Sequence, residues 1–440
     1  MKVIRDSIHK DIYIEDEILK IIDSEEFQRL RNIKQLGLAN LVYPSANHTR
    51  FEHSLGTMFI SQKIAEKIDD IDIELVKISA LLHDIGHPPF SHTLEILNYN
   101  HEKVGKKIIK KMDLGVFSNK EILDVLSGKR LESEIISGDV DADRMDYLLR
   151  DSYHTGTAYG LIDLPRIIRS LKTFEYFGKV KIGVIKKGIQ AIESLLVARH
   201  QMYSAVYMHK TVRIVNTMLK RAVIEEIKNN NLNIEELKYM DDIDLVSRLR
   251  SCENYLMNFI DRRELYKKVL EFSYNELTPK QRWILVNIDE KEILKLEEKL
   301  KNIFGYDIFI DIYPLPKIEE HNIYILSDNK VDKLDNISKI ANSLKLAERD
   351  LWKVCMYSKN RDINIKEIKN LIFKELDKNY SSEVLRIINE FKIIEGKGRF
   401  LELAKDSGLT TKEFNEELYK LVFCGLIKEE YSKNKYIYKI

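Results

Sequence analysis

Helix breakers are rare in this chain: 17 glycines and 7 prolines punctuate 440 residues. With so few residues that favour left-handed turns or lack an amide hydrogen, long helices joined by short connections are the economical solution. Apolar spacing agrees over the first 300 or so residues. Ile18, Ile21, Ile22, Phe27, Leu30 and Ile33 recur at helical intervals across 17–36, and further helices are expected over 54–68, 75–82, 141–151 and 190–221. The texture changes near residue 303. YDIFIDIY (306–313), closed by Pro314 and Pro316, and NIYIL (322–326), followed by a turn at Ser327-Asp328-Asn329, read as strands, with a helix over about 337–354. In the last segment helices are expected over 381–393, 400–405 and 412–423, the last capped by Thr410 and Thr411, and two alternating runs (427–431 and 435–438) turn around Asn434. Three helices and a hairpin suggest a winged helix. The expected architecture is mainly α, with a helical core (1–302), a small α+β subdomain (303–360) and a C-terminal winged-helix-like segment (361–440).

Charge and cysteine content narrow the setting. The 71 basic residues nearly cancel the 70 acidic ones, leaving +1, so only a local patch could draw the chain to nucleic acid. Cys252, Cys355 and Cys424 are far apart and odd in number, which gives neither a zinc signature nor a disulfide framework and fits a reducing, cytoplasmic compartment. No apolar run approaches the roughly twenty residues that cross a bilayer, so no membrane association is expected.

The chemistry concentrates in three places. The apolar helix over 75–82 runs straight into His83-Asp84-Ile85-Gly86-His87, which sets an imidazole and a carboxylate side by side, with Gly86 read as a sharp turn. Upstream, Arg50-Phe51-Glu52-His53-Ser54-Leu55-Gly56 supplies another imidazole at a helix start. Downstream, Asp139-Val140-Asp141-Ala142-Asp143-Arg144-Met145-Asp146-Tyr147 supplies clustered carboxylates. Two imidazoles and two carboxylates suit a first-row divalent ion and leave positions open for water and phosphate. A lone buried His-Asp pair is more often a structural hydrogen bond; the ordered set in this context is far more specific.

RLRNIKQLG (29–37), HTRFEHSLG (48–56), HDIGHPPFSH (83–92) and DADRMDYLLRD (141–151) together resemble the deoxynucleoside-triphosphate triphosphohydrolase (dNTPase) branch of the HD superfamily, which includes bacterial dNTPases and the vertebrate SAM-and-HD-domain dNTPase. The resemblance runs from MKVIRDSIH at the start to about residue 360 and leaves out the winged-helix-like tail. It implies an HD-domain helical fold in which His53, His83, Asp84 and Asp143 hold one divalent metal ion; Mn, Mg, Fe, Ni and Zn all tolerate such mixed ligands. Asp143 is the carboxylate that precedes the basic residue of the family's DxD-[RK]-x-D-Y pattern. His87, His92 and His101 then become imidazoles that hold phosphates or move a proton. Glu95, one turn after His92, replaces the family's Asp as its partner and lengthens the reach.

For substrate, the resemblance assigns phosphate contacts to Arg50, Arg144, Arg199 and Lys210, and places Tyr147 in the same site. Gln35, Leu36, Asp151 and Tyr207 fall around the sugar, with Tyr207 crowding out a 2′-hydroxyl. A guanine nucleotide (GTP or dGTP) effector is implied at Lys2, Val3, Asp23, Gln28 and Arg31, and a neighbouring effector site at Asp163, Arg166 and His209, with Arg5 where the family has Asn. Such sites lie between subunits in the family, so a homo-oligomer, a dimer or tetramer, is implied. The expected activity is metal-dependent hydrolysis of dNTPs to deoxynucleoside and tripolyphosphate, activated by a nucleotide. Two other readings stand beside it: an HD phosphohydrolase for another nucleotide or phosphoester, and a nucleotide-sensing DNA-binding or scaffold protein acting through the tail. Against the latter, the recognition-helix candidate over 411–421 carries Glu413, Glu416 and Glu417 against Lys412 and Lys420, a poor face for phosphates.

Overall fold

The stretch from Ile73 to Leu82 shows how the sequence builds the centre of the molecule. Asp72 caps this helix, its carboxylate accepting from the Leu75 amide at 3.0 Å. Val76, Ile78, Ala80, Leu81 and Leu82 are all fully buried. From Leu75 on every residue is buried, Lys77 and Ser79 included, so the end of this covered helix delivers His83 and Asp84 into the interior. Truncating Leu82 to Ala would cost about 2–5 kcal/mol. The Arg50–Ala65 helix packs along it, and the Ala142–Thr155 helix packs on Arg50–Ala65 in turn.

The computed structural model describes residues 1–97, 99–316, 323–328, 330–361, 363–378, 393–395, 410–432 and 435–439. It is mainly α with small sheets. Among the described residues, no helix is long and apolar enough to cross a membrane.

Several expected helices are interrupted where polar side chains capture backbone amides. The stretch over 17–36 divides into Asp16–Ile22, Glu25–Gln28 and a tighter turn at Arg29–Asn32, because the Ser24 hydroxyl accepts from the Phe27 amide and restarts the chain. The long run over 190–221 is Ile189–Met202, a π-helical turn at Tyr203–Tyr207, and a new helix, Lys210–Lys228, capped by His209. The start of the chain, ahead of the first expected helix, is a hairpin. Lys2–Asp6 pairs antiparallel with Lys10–Ile14, and Ile12 and Ile14 sit in the same core as Ile18, Phe51 and Ile78.

Contacts group the chain into two compact units, Met1–Leu265 with Lys317–Ala347 and Tyr266–Pro316 with Glu348–Ile440. The segment over 303–360 is thus divided between them. Tyr324–Ser327 pairs in parallel with Lys179–Ile185, with Val184 opposite Ile325, in a sheet completed by Leu171–Tyr176 and Lys330–Lys333. Phe309–Ile312 instead flanks Lys353–Ser358, whose other neighbour is Lys267–Ser273. The helix expected over 337–354 is Lys339–Leu351. In the tail, the Thr411–Cys424 helix starts with a reciprocal Thr410–Glu413 capping box, and Lys428–Ser432 and Lys435–Lys439 form the expected hairpin. Ile393–Glu395 adds a third strand. The helix expected over 381–393 lies outside the described residues apart from Ile393, which opens that strand, and the helix expected over 400–405 lies wholly outside them.

Candidate metal and catalytic centre

Three helices of the first unit bring the quartet together. His53 lies in the first turn of Arg50–Ala65, His83 and Asp84 follow Ile73–Leu82, and Asp143 opens Ala142–Thr155. His53 Nε2 lies 3.0 Å from Asp143 Oδ1 and 3.6 Å from Asp84 Oδ2. His83 Nε2 lies 3.4 Å from Asp84 Oδ1 and 3.9 Å from Asp143 Oδ1. His53, His83 and Asp84 offer donor atoms within 4.8 Å of one another.

The far nitrogens decide what these rings can do. His53 Nδ1 donates to Asp146 Oδ2 at 2.8 Å, and His83 Nδ1 donates to the Ala80 carbonyl at 2.7 Å. A carboxylate and a carbonyl only accept, so Nδ1 carries the hydrogen in each ring and Nε2 keeps a lone pair. Both Nε2 atoms are buried without a hydrogen-bond partner. A lone pair aimed at carboxylate oxygens calls for a cation between them. Burial opposes a charged imidazole, yet Asp143 and Asp146 push the His53 pKa up to about 10, so the same electrostatics favour a proton or a metal ion there. For Asp84, burial is outweighed by Arg50, His83 and His87, which hold its carboxyl well below the usual range. These residues fit a divalent ion, with Asp146 and Ala80 fixing the ring orientations. Asp146 was not among the expected site residues, although it belongs to the DADRMDY run.

A second imidazole group follows directly. His87 stacks on His101 with centroids 4.0 Å apart and meets His92 edge-on at 5.0 Å; the His87, His92 and His101 donor atoms also lie within 4.8 Å. His87 Nε2 is 3.1 Å from Asp84 Oδ1, which links the two groups. Burial and the Arg50 guanidinium hold His87 well below an ordinary imidazole, hence neutral. His92 is exposed. The side chain of Glu95 lies outside the described residues.

The loop carrying this group is pinned by residues distant in sequence. Arg29 Nη2 donates to the Ile85 and His87 carbonyls at 3.0 and 2.9 Å. Asp242 accepts from the Phe90 amide at 2.6 Å and the Lys34 amide at 3.0 Å. Phe90 and Ser91 take left-handed φ of 55° and 53°, uncommon for residues with a Cβ. Gly86, expected at a sharp turn, is needed for space: a Cβ there would stand 2.2 Å from the His101 carbonyl oxygen and 2.3 Å from the Gly105 nitrogen.

Of the residues implied for substrate, Arg50 is buried, with Nη1 on Asp84 and Nε donating to Ser91 Oγ at 2.9 Å. Arg144 Nη1 donates to the Asp139 carbonyl at 2.7 Å. Arg199 is buried with its guanidinium 5.3 Å from the Tyr203 ring centre. Burial raises the Tyr147 hydroxyl pKa, against which the charges of Arg144 and Arg199 act. Lys210 opens its helix with the side chain exposed. The Tyr207 hydroxyl donates to Asp151 Oδ2 at 2.6 Å, while His48 Nε2 meets Asp151 Oδ1 at 2.8 Å. Tyr147 lies edge-on to Tyr207 at 6.3 Å. Gln35 is buried with Oε1 unpartnered, and Leu36 packs on the core.

The implied effector residues fall into separate groups. Lys2 and Val3 are exposed on the first strand. Asp23 follows the Asp16–Ile22 helix; Gln28 Nε2 donates to the Ile22 carbonyl and its Oε1 accepts from Arg31 Nε, both at 2.7 Å. The Arg31 guanidinium lies 3.6 Å over the Phe51 ring. Asp163 caps Leu164–Ser170, Arg166 Nη2 donates to the Lys187 carbonyl at 2.8 Å, and His209 caps Lys210–Lys228.

The HD domain family matches residues 50–151, which carry the whole quartet, and the HD associated region matches 162–379. An uncharacterized protein of Methanocaldococcus jannaschii is 64% identical over 444 residues, covering 100% of this chain and 98% of its own length. The deoxynucleoside triphosphate triphosphohydrolase SAMHD1 of Homo sapiens is 25% identical over 504 residues, covering 96% of this chain and 76% of its own. The crystal structure of a phosphohydrolase from Bacteroides thetaiotaomicron is similar with a TM-score of 0.64 at 26% identity, over 82% of this chain and 100% of that one. The chain belongs to the HD superfamily of phosphohydrolases and is similar to its dNTPase members.

Proposed function

We propose that this phosphohydrolase cleaves deoxynucleoside triphosphates to deoxynucleosides and tripolyphosphate. The observation that carries the reading is a ladder on one helix. Asp143, Tyr147 and Asp151 follow at four-residue intervals on one face of Ala142–Thr155, about 6 Å apart. The ladder starts at the metal quartet and ends at the carboxylate bonded to Tyr207. That spacing suits a nucleotide whose α-phosphate lies at the quartet and whose sugar lies at Asp151. Tyr207, fixed by its hydrogen bond, crowds C2′ and disfavours a ribose.

In the reaction a water oxygen bonds to the α-phosphorus, the bond to O5′ breaks, and a proton passes to O5′. A bound divalent ion supplies polarisation of a phosphate oxygen and a more acidic water. Arg50 neutralises charge beside Asp84, and Arg144 and Arg199 balance the triphosphate. His92, exposed beside neutral His87, is the proton donor for O5′. A guanine nucleotide at Lys2, Val3, Asp23, Gln28 and Arg31, with Asp163, Arg166 and His209 in the neighbouring site, regulates a homo-oligomer; it displaces the internal Gln28–Arg31 bond when it binds.

The test is chromatographic product analysis of purified protein with Mn²⁺ and each dNTP, with and without GTP. Deoxynucleoside plus tripolyphosphate is expected, with rates that rise with GTP. Orthophosphate alone would move the activity to a phosphoanhydride bond of the triphosphate. GTP without effect on rate or assembly would remove the effector site.

A further inference from the structure

The face of Ala142–Thr155 beside the ladder carries a second, fully buried arrangement. Asp146 accepts four hydrogen bonds: from His53 Nδ1 (2.8 Å) and Arg150 Nε (2.9 Å) on Oδ2, and from His9 Nε2 (2.7 Å) and Arg150 Nη2 (2.9 Å) on Oδ1. An ionised carboxylate has about four acceptor sites, and all are filled. Arg150 continues to Asp6, with Nη1 to Oδ2 at 2.8 Å and Nη2 to Oδ1 at 3.3 Å. Asp6 Oδ1 in turn accepts from the Ile8 and His9 amides at 2.9 and 2.7 Å, which shapes the turn that presents His9. The His9 ring stacks on Phe59 of the Arg50–Ala65 helix at 4.9 Å, and its side chain is 4% exposed.

Gly56 makes room for this arrangement. A Cβ at 56 would stand 1.9 Å from Asp146 Oδ1 and 2.4 Å from Arg150 Nη2. A glycine inside a helix costs about 1 kcal/mol relative to alanine, and the approach of this carboxylate is what that cost allows.

We infer that His9 and Asp6, on the N-terminal hairpin, are positioning residues for the candidate metal ligand His53, acting through Asp146 and Arg150. The donor from His9 holds one oxygen of Asp146 so that the other faces His53 Nδ1. Without it Arg150 alone holds that oxygen, the carboxylate is less firmly set, and the imidazole's orientation and the partner that keeps its lone pair on Nε2 are weakened. The inference rests on the metal-site reading but not on the identity of the substrate.

The experiment uses the full chain and measures Mn²⁺ affinity by isothermal titration, well below each variant's melting temperature. His9→Phe keeps the stacking on Phe59 and deletes the donor; His9→Gln restores an N–H. The expected result is Mn²⁺ affinity about 10- to 100-fold weaker in His9→Phe and near that of the unmodified protein in His9→Gln. A folded His9→Phe with unchanged affinity overturns the inference, as does an equal loss in both variants, which would indicate packing alone. Should His9→Phe fail to fold, Asp6→Asn takes its place, with weakened Mn²⁺ binding expected and unchanged binding overturning the proposal. Absence of Mn²⁺ binding in the unmodified protein would instead remove the metal reading itself.

Discussion

The two imidazole groups lie within one turn of each other, His83 to His87, and are built on opposite plans. In the first, each ring sits at the start or end of a helix, its Nδ1 is anchored to an acceptor, and its Nε2 faces carboxylates with no hydrogen-bond partner. In the second, the rings stack on each other along a loop and a helix start, one buried and neutral, one exposed. Anchored rings with a presented lone pair suit a fixed cation. Rings in mutual contact with an outlet to solvent suit proton transfer. The same side chain thus serves two purposes according to what holds its far nitrogen.

The sharpest way to break this contrast is to remove the first group. His83→Ala or Asp143→Ala should abolish Mn²⁺ binding and reduce turnover to background, measured by titration and product chromatography; retained turnover in either variant would sink the quartet. His92→Ala should leave metal stoichiometry intact while kcat falls about 10²- to 10⁴-fold. If the metal is lost as well, the groups are not separable. Tyr207→Ala tests whether the ladder ends at a sugar: discrimination between dNTP and rNTP should shrink by about tenfold or more, and unchanged selectivity would mark Tyr207 as packing only.

The smallest effect concerns how the second group's loop is held. Burial pushes the Asp242 carboxyl up to about 6 from its ordinary 3.8, against the pull of the Lys34 and Phe90 amides. The folded chain therefore holds this proton to higher pH than the unfolded chain does. The resulting stability is full below about pH 4 and is lost as pH rises to about 6. Denaturant midpoints compared between the unmodified protein and Asp242→Asn should converge or cross over that interval and run parallel above it; parallel curves throughout would separate Asp242 from the effect.

What could be read in the sequence was what is local. The Ile73–Leu82 helix is mostly apolar, broken by Glu74, Lys77 and Ser79, and the quartet sits inside short, dense motifs, so both were legible within a window of about ten residues. The breaks at Ser24 and at His209 depend on single side chains taking backbone amides, which apolar periodicity does not register. The N-terminal hairpin alternates as a strand, yet its inward-facing Asp6 and His9 gain meaning only from Arg150 and Asp146, far along the chain. The same holds for Asp242 and the Phe90 amide, and for Tyr324–Ser327, one of whose two sheet neighbours, Lys179–Ile185, lies well before residue 303. Pairings of this kind leave no periodic trace.

Gly56 gives a means of sorting related chains without solving their structures. Where an aligned chain keeps glycine there, a carboxylate on the neighbouring helix can close on its imidazole as Asp146 does. Where it carries anything larger, the 1.9 Å approach is barred, and that protein must steady its metal-binding ring from another direction. One small residue, outside every ligand set, thereby divides relatives by how their metal centre is held, and substitutions seen at 56, 146, 150, 9 and 6 should rise and fall together.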